Sequence, residues 1–391
     1  MTDPVRVLCV TPSGFDGRGG IDRLYYYLRR FSAPQTLAGV DLRFAAARGG
    51  SAVWPLIFPW RLLVLARTLR AFRPQVVHIN FANRGSAWRK YAVLRMARAM
   101  GMRVAVHLHD SLPLEALARG AIAGRLFLAI CHSADIVIVL GEASAIALHS
   151  QGVPAAKVRI VLNGIPDFLS ATDFSKPRSG TVSVLLAGRV GEHKGVGSLI
   201  EALAILTRRG IGGWHCVVAG DGDVAAYSAR AASLGLSGRV SFTGWLDAEA
   251  VHGLMREADI VVLPSVAEAL PLSLLEGACA GAALVATPVG NIAEVVRDGE
   301  NGRLVTRDPK FLADTLAALI ADRDGLARMQ AASRRRYTEC FTLDTFAAGL
   351  AAVYAELAEA GGTKTIEAGG TETARSREHS IVSIDPQRRS A

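Results

Sequence analysis

Glu268 and Glu276 stand with seven residues between them in the run VVLPSVAEALPLSLLEGACAGAALVATPVGNIAEVVRDGENGRLV, residues 261–305. A buried strand, Ile260–Leu263, opens this stretch and breaks at Pro264. Pro271 lies between the two carboxylates and suits a first helical turn, where its missing N–H costs nothing. A helix starting there leaves Glu268 in the preceding loop and aims Glu276 from the second turn. The free N–H groups of Leu272 and Ser273 then face the same space, backed by the positive end of the helix dipole. The outcome is an anion site flanked by carboxylates able to accept hydrogen bonds from sugar hydroxyls, which suits a nucleotide sugar. On spacing alone two solvated loop glutamates are an equal alternative, because a Glu pair is a weak signal.

Such a site needs elements that bring it together. Short apolar runs recur at residues 5–10, 75–79, 104–108, 136–139 and 158–161, with an amphipathic helix expected over 60–72. A second series follows at 182–187, 216–219, 240–243, 260–263 and 282–286. Alternating strands and helices of these lengths predict doubly wound parallel sheets, whose ligands sit at the carboxyl ends of the strands. Gly19, Gly20 and His109 fall at that edge of the first sheet. In the second, Arg189 and Lys194 flank a turn after a strand, where two cations can meet a diphosphate. Gly244, Trp245 and Leu246 end another strand, where backbone groups can meet a base edge. The pattern Gly220-x-Gly222-x-x-Ala225 imitates a dinucleotide fingerprint. It lies inside the second series, and no acidic residue closes a following strand at the expected distance, so that reading is set aside.

Residues 261–305 resemble the signature of retaining glycosyltransferases of family 4. In this chain its parts are the Glu268/Glu276 pair, Gly290-Asn291-Ile292-Ala293-Glu294-Val295 and Asp298-Gly299-Glu300-Asn301-Gly302. Asn291 and Ala293 stand where the family usually has Gly and Pro. Gly188-Arg189 with Lys194-Gly195 is similar to the family's G-R-x5-K-G, one residue shorter, and LNGI at 162–165 to its P-N-G-V. The resemblance covers roughly residues 5–345. It implies a GT-B architecture, two Rossmann-like domains facing across a cleft, with boundaries at 1–165 and 181–345. A helix over 346–360 would cross back to the first domain, ahead of a low-complexity tail from 361 to 391. It further implies transfer of a hexose-type sugar, with retention, from a nucleoside-diphosphate donor to a sugar or lipid-linked hydroxyl acceptor. In that scheme Gly19 and Gly20 lie under the donor phosphates, His109 contacts the donor sugar, and Gly244, Trp245 and Leu246 border the base. Arg189, Lys194 and the helix start at Leu272 and Ser273 hold the diphosphate. Glu268 orients the donor sugar and Glu276 the ribose. A nucleotide-sugar epimerase on the same fold and a non-catalytic donor-binding subunit are the alternatives.

The 391 residues allow two full cores, and half of them are hydrophobic. No apolar run reaches the ~20 residues of a spanning helix. The opening MTDPVRVLCV runs straight into a strand, unlike a signal peptide. Five cysteines without paired or metal-like spacing point to free thiols in a reducing cytoplasm, and no Asp-x-Asp metal motif or cofactor fingerprint is evident. Charge is uneven. Residues 1–175 hold 21 Lys and Arg against 10 Asp and Glu, a net of +11, whereas 176–345 hold 18 against 19. The stretches 54–73 and 84–103 mix Arg and Lys with Trp, Tyr, Phe and Leu. That composition suits peripheral docking of the first domain on an anionic inner-membrane surface, or an ordinary arginine-rich outer face. No nucleic-acid recognition motif accompanies the charge.

Overall fold

The computed structural model describes residues 3–11, 20–31, 37, 39–46, 54–81, 87–109, 122–169 and 180–362. The first half alternates β1 (Val5–Thr11), α1 (Gly20–Phe31), β2 (Val40–Ala46), α2 (Trp54–Phe72), β3 (Val76–Phe81), α3 (Ala87–Ala99), β4 (Arg103–Leu108), α4 (Ile122–Ser133), β5 (Ile136–Val139), α5 (Glu142–Ser150) and β6 (Val158–Ile160). The strands form one parallel sheet in the order β2-β1-β3-β4-β5-β6. Every residue of β3 and β5 is buried, as central strands covered by helices on both faces must be, and β3 carries His78 and Asn80 among its apolar residues. Strand β2 is absent from the expected series. It lies at the sheet edge, mostly half-exposed, and its sequence VDLRFAA carries charges that blunt the apolar signal of a central strand.

A second parallel sheet follows, in the order β12-β11-β10-β7-β8-β9. Its elements are β7 (Val182–Ala187), α6 (Val196–Arg208), β8 (Trp214–Ala219), α7 (Val224–Ser233), β9 (Val240–Gly244), α8 (Ala248–Glu257), β10 (Ile260–Leu263), α9 (Leu272–Cys279), β11 (Ala283–Ala286), β12 (Gly302–Leu304), α10 (Pro309–Ala321), α11 (Arg323–Cys340) and α12 (Leu343–Gly362). The strand order reverses direction between β7 and β10, which pair directly, Ile260 beside Val184 and Val261 beside Leu185. The loops after these two strands therefore leave the sheet side by side, at the switch point where open α/β sheets open a crevice. One carries Arg189 and Lys194, the other Glu268. The glycines of the imitation fingerprint have a packing role. Gly220, at φ 149°, lies so close to Gly188 that a Cβ would fall 1.9 Å from the Gly188 carbonyl oxygen.

Two segments join the sheets. Residues 165–169, where the first expected domain gives way to the second, are anchored. Tyr337 Oη donates to the Ile165 carbonyl at 3.0 Å, Asp167 pairs with Arg334, and the Phe168 ring stacks on His252 at 4.0 Å. Helix α12 buries Phe346, Leu350, Val353, Tyr354 and Leu357, and Tyr354 Oη lies 2.8 Å from His78 Nδ1 on β3. The tail beyond Gly362 and residues 170–179 lie outside the described residues.

Asn291, one of the departures from the family pattern, and its neighbour Glu294 tie the two halves together. The Asn291 Oδ1 accepts from the Ser144 N–H at 3.2 Å, while its Nδ2 donates to Ser144 Oγ at 2.8 Å. Glu294 Oε1 accepts from the Glu142 N–H at 2.9 Å. Helix α5 starts after Gly141, which has no side chain to cap it, so its first amides are capped from the other sheet's half.

Candidate functional site

A cavity of about 660 Å³ lies between the carboxyl edges of the two sheets. Its walls bring together Gly20, His109, Arg189, Lys194, Trp245, Leu246, Glu268, Leu272, Ser273 and Glu276, all singled out from the sequence. Gly244 ends β9 one residue short of that wall, and Gly19 lies outside the described residues.

The cationic and acidic side chains meet in pairs. Lys194 Nζ lies 2.5 Å from Glu268 Oε1, and Ser265 Oγ donates to the same oxygen at 2.7 Å. The buried Ser265 is held in turn, its carbonyl accepting from Thr287 Oγ1 at 2.7 Å. Gly290, at φ 57°, presses the loop after β11 against the Glu268 backbone. A Cβ there would stand 1.8 Å from the Glu268 carbonyl oxygen, so only glycine fits. Arg189 is exposed on the cavity wall and forms no ion pair among the described residues.

Helix α9 begins at Leu272, with Pro271 just before it in extended conformation (φ −72°, ψ 129°) rather than inside its first turn. A proline fits this entry as well, since its ring fixes φ without demanding a helical ψ. No side chain caps this end, so the Leu272 and Ser273 amides stay available to the cavity they line.

Glu276 projects from the second turn and is only 2% exposed. Its Oε1 lies 3.3 Å from Arg23 Nη2 on α1 and 3.9 Å from His252 Nε2. Burial raises the Glu276 carboxyl above its ordinary pKa, and the Arg23 guanidinium opposes that shift. Burial, reinforced by Arg23, pushes His252 down to about 4, so it is neutral and Arg23 is the cation facing Glu276. Among the described residues, neither Glu276 Oε1 nor Arg23 Nη2 has a hydrogen-bond partner. The carboxylate thus keeps acceptor capacity for a ligand hydroxyl.

Three site residues escaped the sequence reading: Arg23, Asn80 and Asn163. Arg23 follows the Gly-rich turn but faces a carboxylate from the other half of the chain. Asn163, in the LNGI segment, donates to the Leu270 carbonyl at 3.2 Å and braces the loop that carries Glu268. Asn80 ends its chain of contacts on His109. The strand expected over 75–79 stops one residue short of it, whereas β3 runs on to Phe81.

The comparisons with known proteins agree with this geometry. Residues 19–167 match the family model described as Glycosyltransferase Family 4, and residues 181–322 match that described as Glycosyl transferases group 1. Glycogen synthase of Mycobacterium tuberculosis is 33% identical over 207 residues, 52% of this chain and 49% of the relative. D-inositol 3-phosphate glycosyltransferase of Nocardia farcinica is 35% identical over 158 residues, 38% of this chain and 35% of the relative. The matched part thus spans about half the length of such curated relatives, or less. Among solved structures, Anabaena HepE in complex with UDP and glucose superposes with a TM-score of 0.69 at 21% identity, covering 89% of this chain and 99% of its own. Sucrose-phosphate synthase of Thermosynechococcus elongatus gives 0.73 at 19%, covering 91% and 99%. The two facing parallel sheets are therefore the GT-B fold. With both halves matched in order, the chain belongs to the group 1 glycosyltransferases of family 4.

Proposed function

We propose that this protein transfers a hexose-type sugar from a nucleoside-diphosphate sugar to a hydroxyl acceptor, with retention at the anomeric carbon. One observation carries the reading: Arg189 and Lys194 after β7, Glu268 after β10, and the bare amides and Glu276 of α9 line a single cavity between the sheets. Arg189, Lys194 and the Leu272 and Ser273 amides receive the diphosphate and offset charge growing on the leaving group. Lys194 touches Glu268, so the cation for the phosphate and the acceptor for the sugar hydroxyls flank the bond that breaks. Glu276 takes the ribose hydroxyls. Glu268 Oε1 already holds Lys194 and Ser265, which favours same-face attack with a donor phosphate oxygen taking the acceptor proton over a covalent intermediate on Glu268.

The acceptor side falls to the first half and its basic surface. Helix α2 exposes Trp60, Leu63, Val64 and Arg67 on one stripe, with the Arg67 guanidinium 6.0 Å from the Trp60 ring. No helix among the described residues is long and apolar enough to cross a membrane. A stripe of this kind instead suits docking in an anionic headgroup layer, where a lipid-linked acceptor would be met.

Thermal-shift screening against UDP-, GDP- and ADP-sugars tests the donor assignment. UDP-sugars come first, because HepE was crystallised with UDP and glucose. Arg189→Ala and Glu276→Ala are each expected to weaken the stabilising response about tenfold or more in donor concentration. Unchanged responses in both would remove the site assignment. Radiolabelled donor with a membrane extract then separates transfer from isomerisation or binding alone.

A further inference from the structure

Beneath His109 lies a buried amide that is fixed before any ligand arrives. Asn80, on β3, is 1% exposed. Its Nδ2 donates to the Val10 carbonyl at 3.2 Å and approaches Cys9 Sγ at 3.3 Å. A carbonyl can only accept, so the amide cannot turn over without placing oxygen against oxygen. The Asn80 Oδ1 must therefore face the other way, and there it meets His109 Nε2 at 2.7 Å. An amide oxygen also only accepts. His109 consequently carries its proton on Nε2, and its Nδ1 is left as a lone pair. Among the described residues no donor reaches Nδ1, and His109 lines the donor cavity.

The surroundings keep this imidazole uncharged. Burial holds it well below the ordinary histidine pKa, with His78 and Lys90 adding to the shift. The other groups facing it are the His107 ring at 4.0 Å and the Tyr25 ring at 6.3 Å, between centroids. His107 is itself held neutral by burial. Of the cavity's acidic pair, Glu268 is bound to Lys194 and Glu276 faces Arg23, so neither carboxylate is recorded against this ring.

We infer that Asn80 is a positioning residue which locks His109 Nδ1 as a hydrogen-bond acceptor, so that the donor-sugar substituent facing it must be a hydroxyl, and a uronic acid that turned its carboxylate there is rejected. The inference deepens the proposed transferase reading and rests on it for the sugar. A hydroxyl gives Nδ1 the proton it lacks. A carboxylate would bring a second lone pair and a charge into a site that offers neither proton nor counter-charge from this ring, and unpaired groups of that kind are what polar pockets discriminate against.

Two measurements on the full chain test it. The first needs no ligand: 15N chemical shifts of the His109 ring, assigned by comparison with His109→Gln, read the tautomer directly. The expected result is a neutral Nε2–H ring that does not titrate between pH 5.5 and 8, both limits approximate and set by the ordinary histidine pKa. In Asn80→Asp the new carboxylate stabilises the imidazolium, and the same ring is expected to titrate within that window. A His109 proton on Nδ1, or titration of the wild-type ring, would overturn the lock. The second compares UDP-glucose with UDP-glucuronic acid, and GDP-mannose with GDP-mannuronic acid, by thermal shift. Wild type is expected to favour the neutral sugar of the recognised pair by about tenfold or more. Asn80→Asp is expected to erode that preference as pH falls, because its protonated His109 can pair with the uronate. A merely structural asparagine would lower the melting temperature without moving either the ring's titration or the sugar preference. Equal binding of both sugars in wild type overturns the selectivity. If no nucleotide sugar binds at all, the transferase reading fails, while the tautomer stands or falls on its own spectrum.

Discussion

At the scale of single residues, Glu276 shows how a binding group is kept at a cost to the fold. Its carboxyl is raised by burial, and Arg23 only partly compensates. A carboxyl with a folded pKa above its unfolded value carries a penalty that is absent below the unfolded pKa, about 4.3, and grows as pH rises through the folded one. Glu276→Gln removes that charge while keeping the shape. The variant is expected to be more stable than wild type at neutral pH, by on the order of 1 kcal/mol, and no more stable near pH 4. Paired melting curves at the two pH values, with and without donor, check this. A Glu276→Gln protein less stable at neutral pH would mean that the Arg23 pair outweighs the burial. The carboxylates and cations were legible in the sequence because their motifs are local, each on one loop after one strand. Arg23 was not, since what gives it meaning is a carboxylate on α9, in the other half of the chain. The same holds for Asn80, whose role depends on which way an amide faces.

At the scale of elements, the central strands were legible to within a residue or two because full burial on both faces leaves an unmistakable apolar run. Strand β2 was not, because an edge strand needs only part of that signal. Helix α2 lies between these cases: its existence was plain, but the use of its outer face depends on what meets it. Its inward side chains Leu69 and Phe72 are buried, while Trp60 is 62% exposed and Trp88, on α3, 44%. The two helices are tied at that surface, where Phe58 packs edge-on against Trp88 with centroids 4.6 Å apart. A single aromatic so exposed is ordinary; a stripe of them interleaved with arginines is what headgroup docking uses. Flotation with vesicles containing anionic lipid is expected to carry the protein upward at low salt and less at high salt. Trp60→Asp should reduce that binding about tenfold, as loss of a buried aromatic from the interface would, without changing the thermal response to donor. Binding that ignores both salt and Trp60 would leave α2 as a plain arginine-rich helix.

At the scale of the molecule, the cavity exists only while the two sheets face each other, and the contacts that hold them so can be named. Near the donor site Arg23 reaches Glu276 from α1. Farther along, Asn291 and Glu294 cap the amides of Ser144 and Glu142 on α5. Gly141 leaves room for them: a Cβ on it would stand 2.7 Å from Asn291 Oδ1. The departure at Asn291 was visible in the sequence, but nothing local shows that its partner is a helix of the first sheet. Separating the sheets exposes uncapped helix amides, so each cap favours the facing arrangement by roughly 1 kcal/mol. Hydrogen exchange at residues 142–145 reads this directly. Asn291→Gly, which restores the usual family residue, is expected to speed exchange of the Ser144 amide about fivefold, and Asn291→Gly with Glu294→Gln to extend the effect to Glu142. Because the facing arrangement also assembles the cavity, donor added to the double variant should slow that exchange again by closing the sheets around it. If exchange at Ser144 is the same in wild type and both variants, the caps do not contribute to closure, and the burden falls on α12, the anchored 165–169 segment, Asn163 and the Arg23–Glu276 pair.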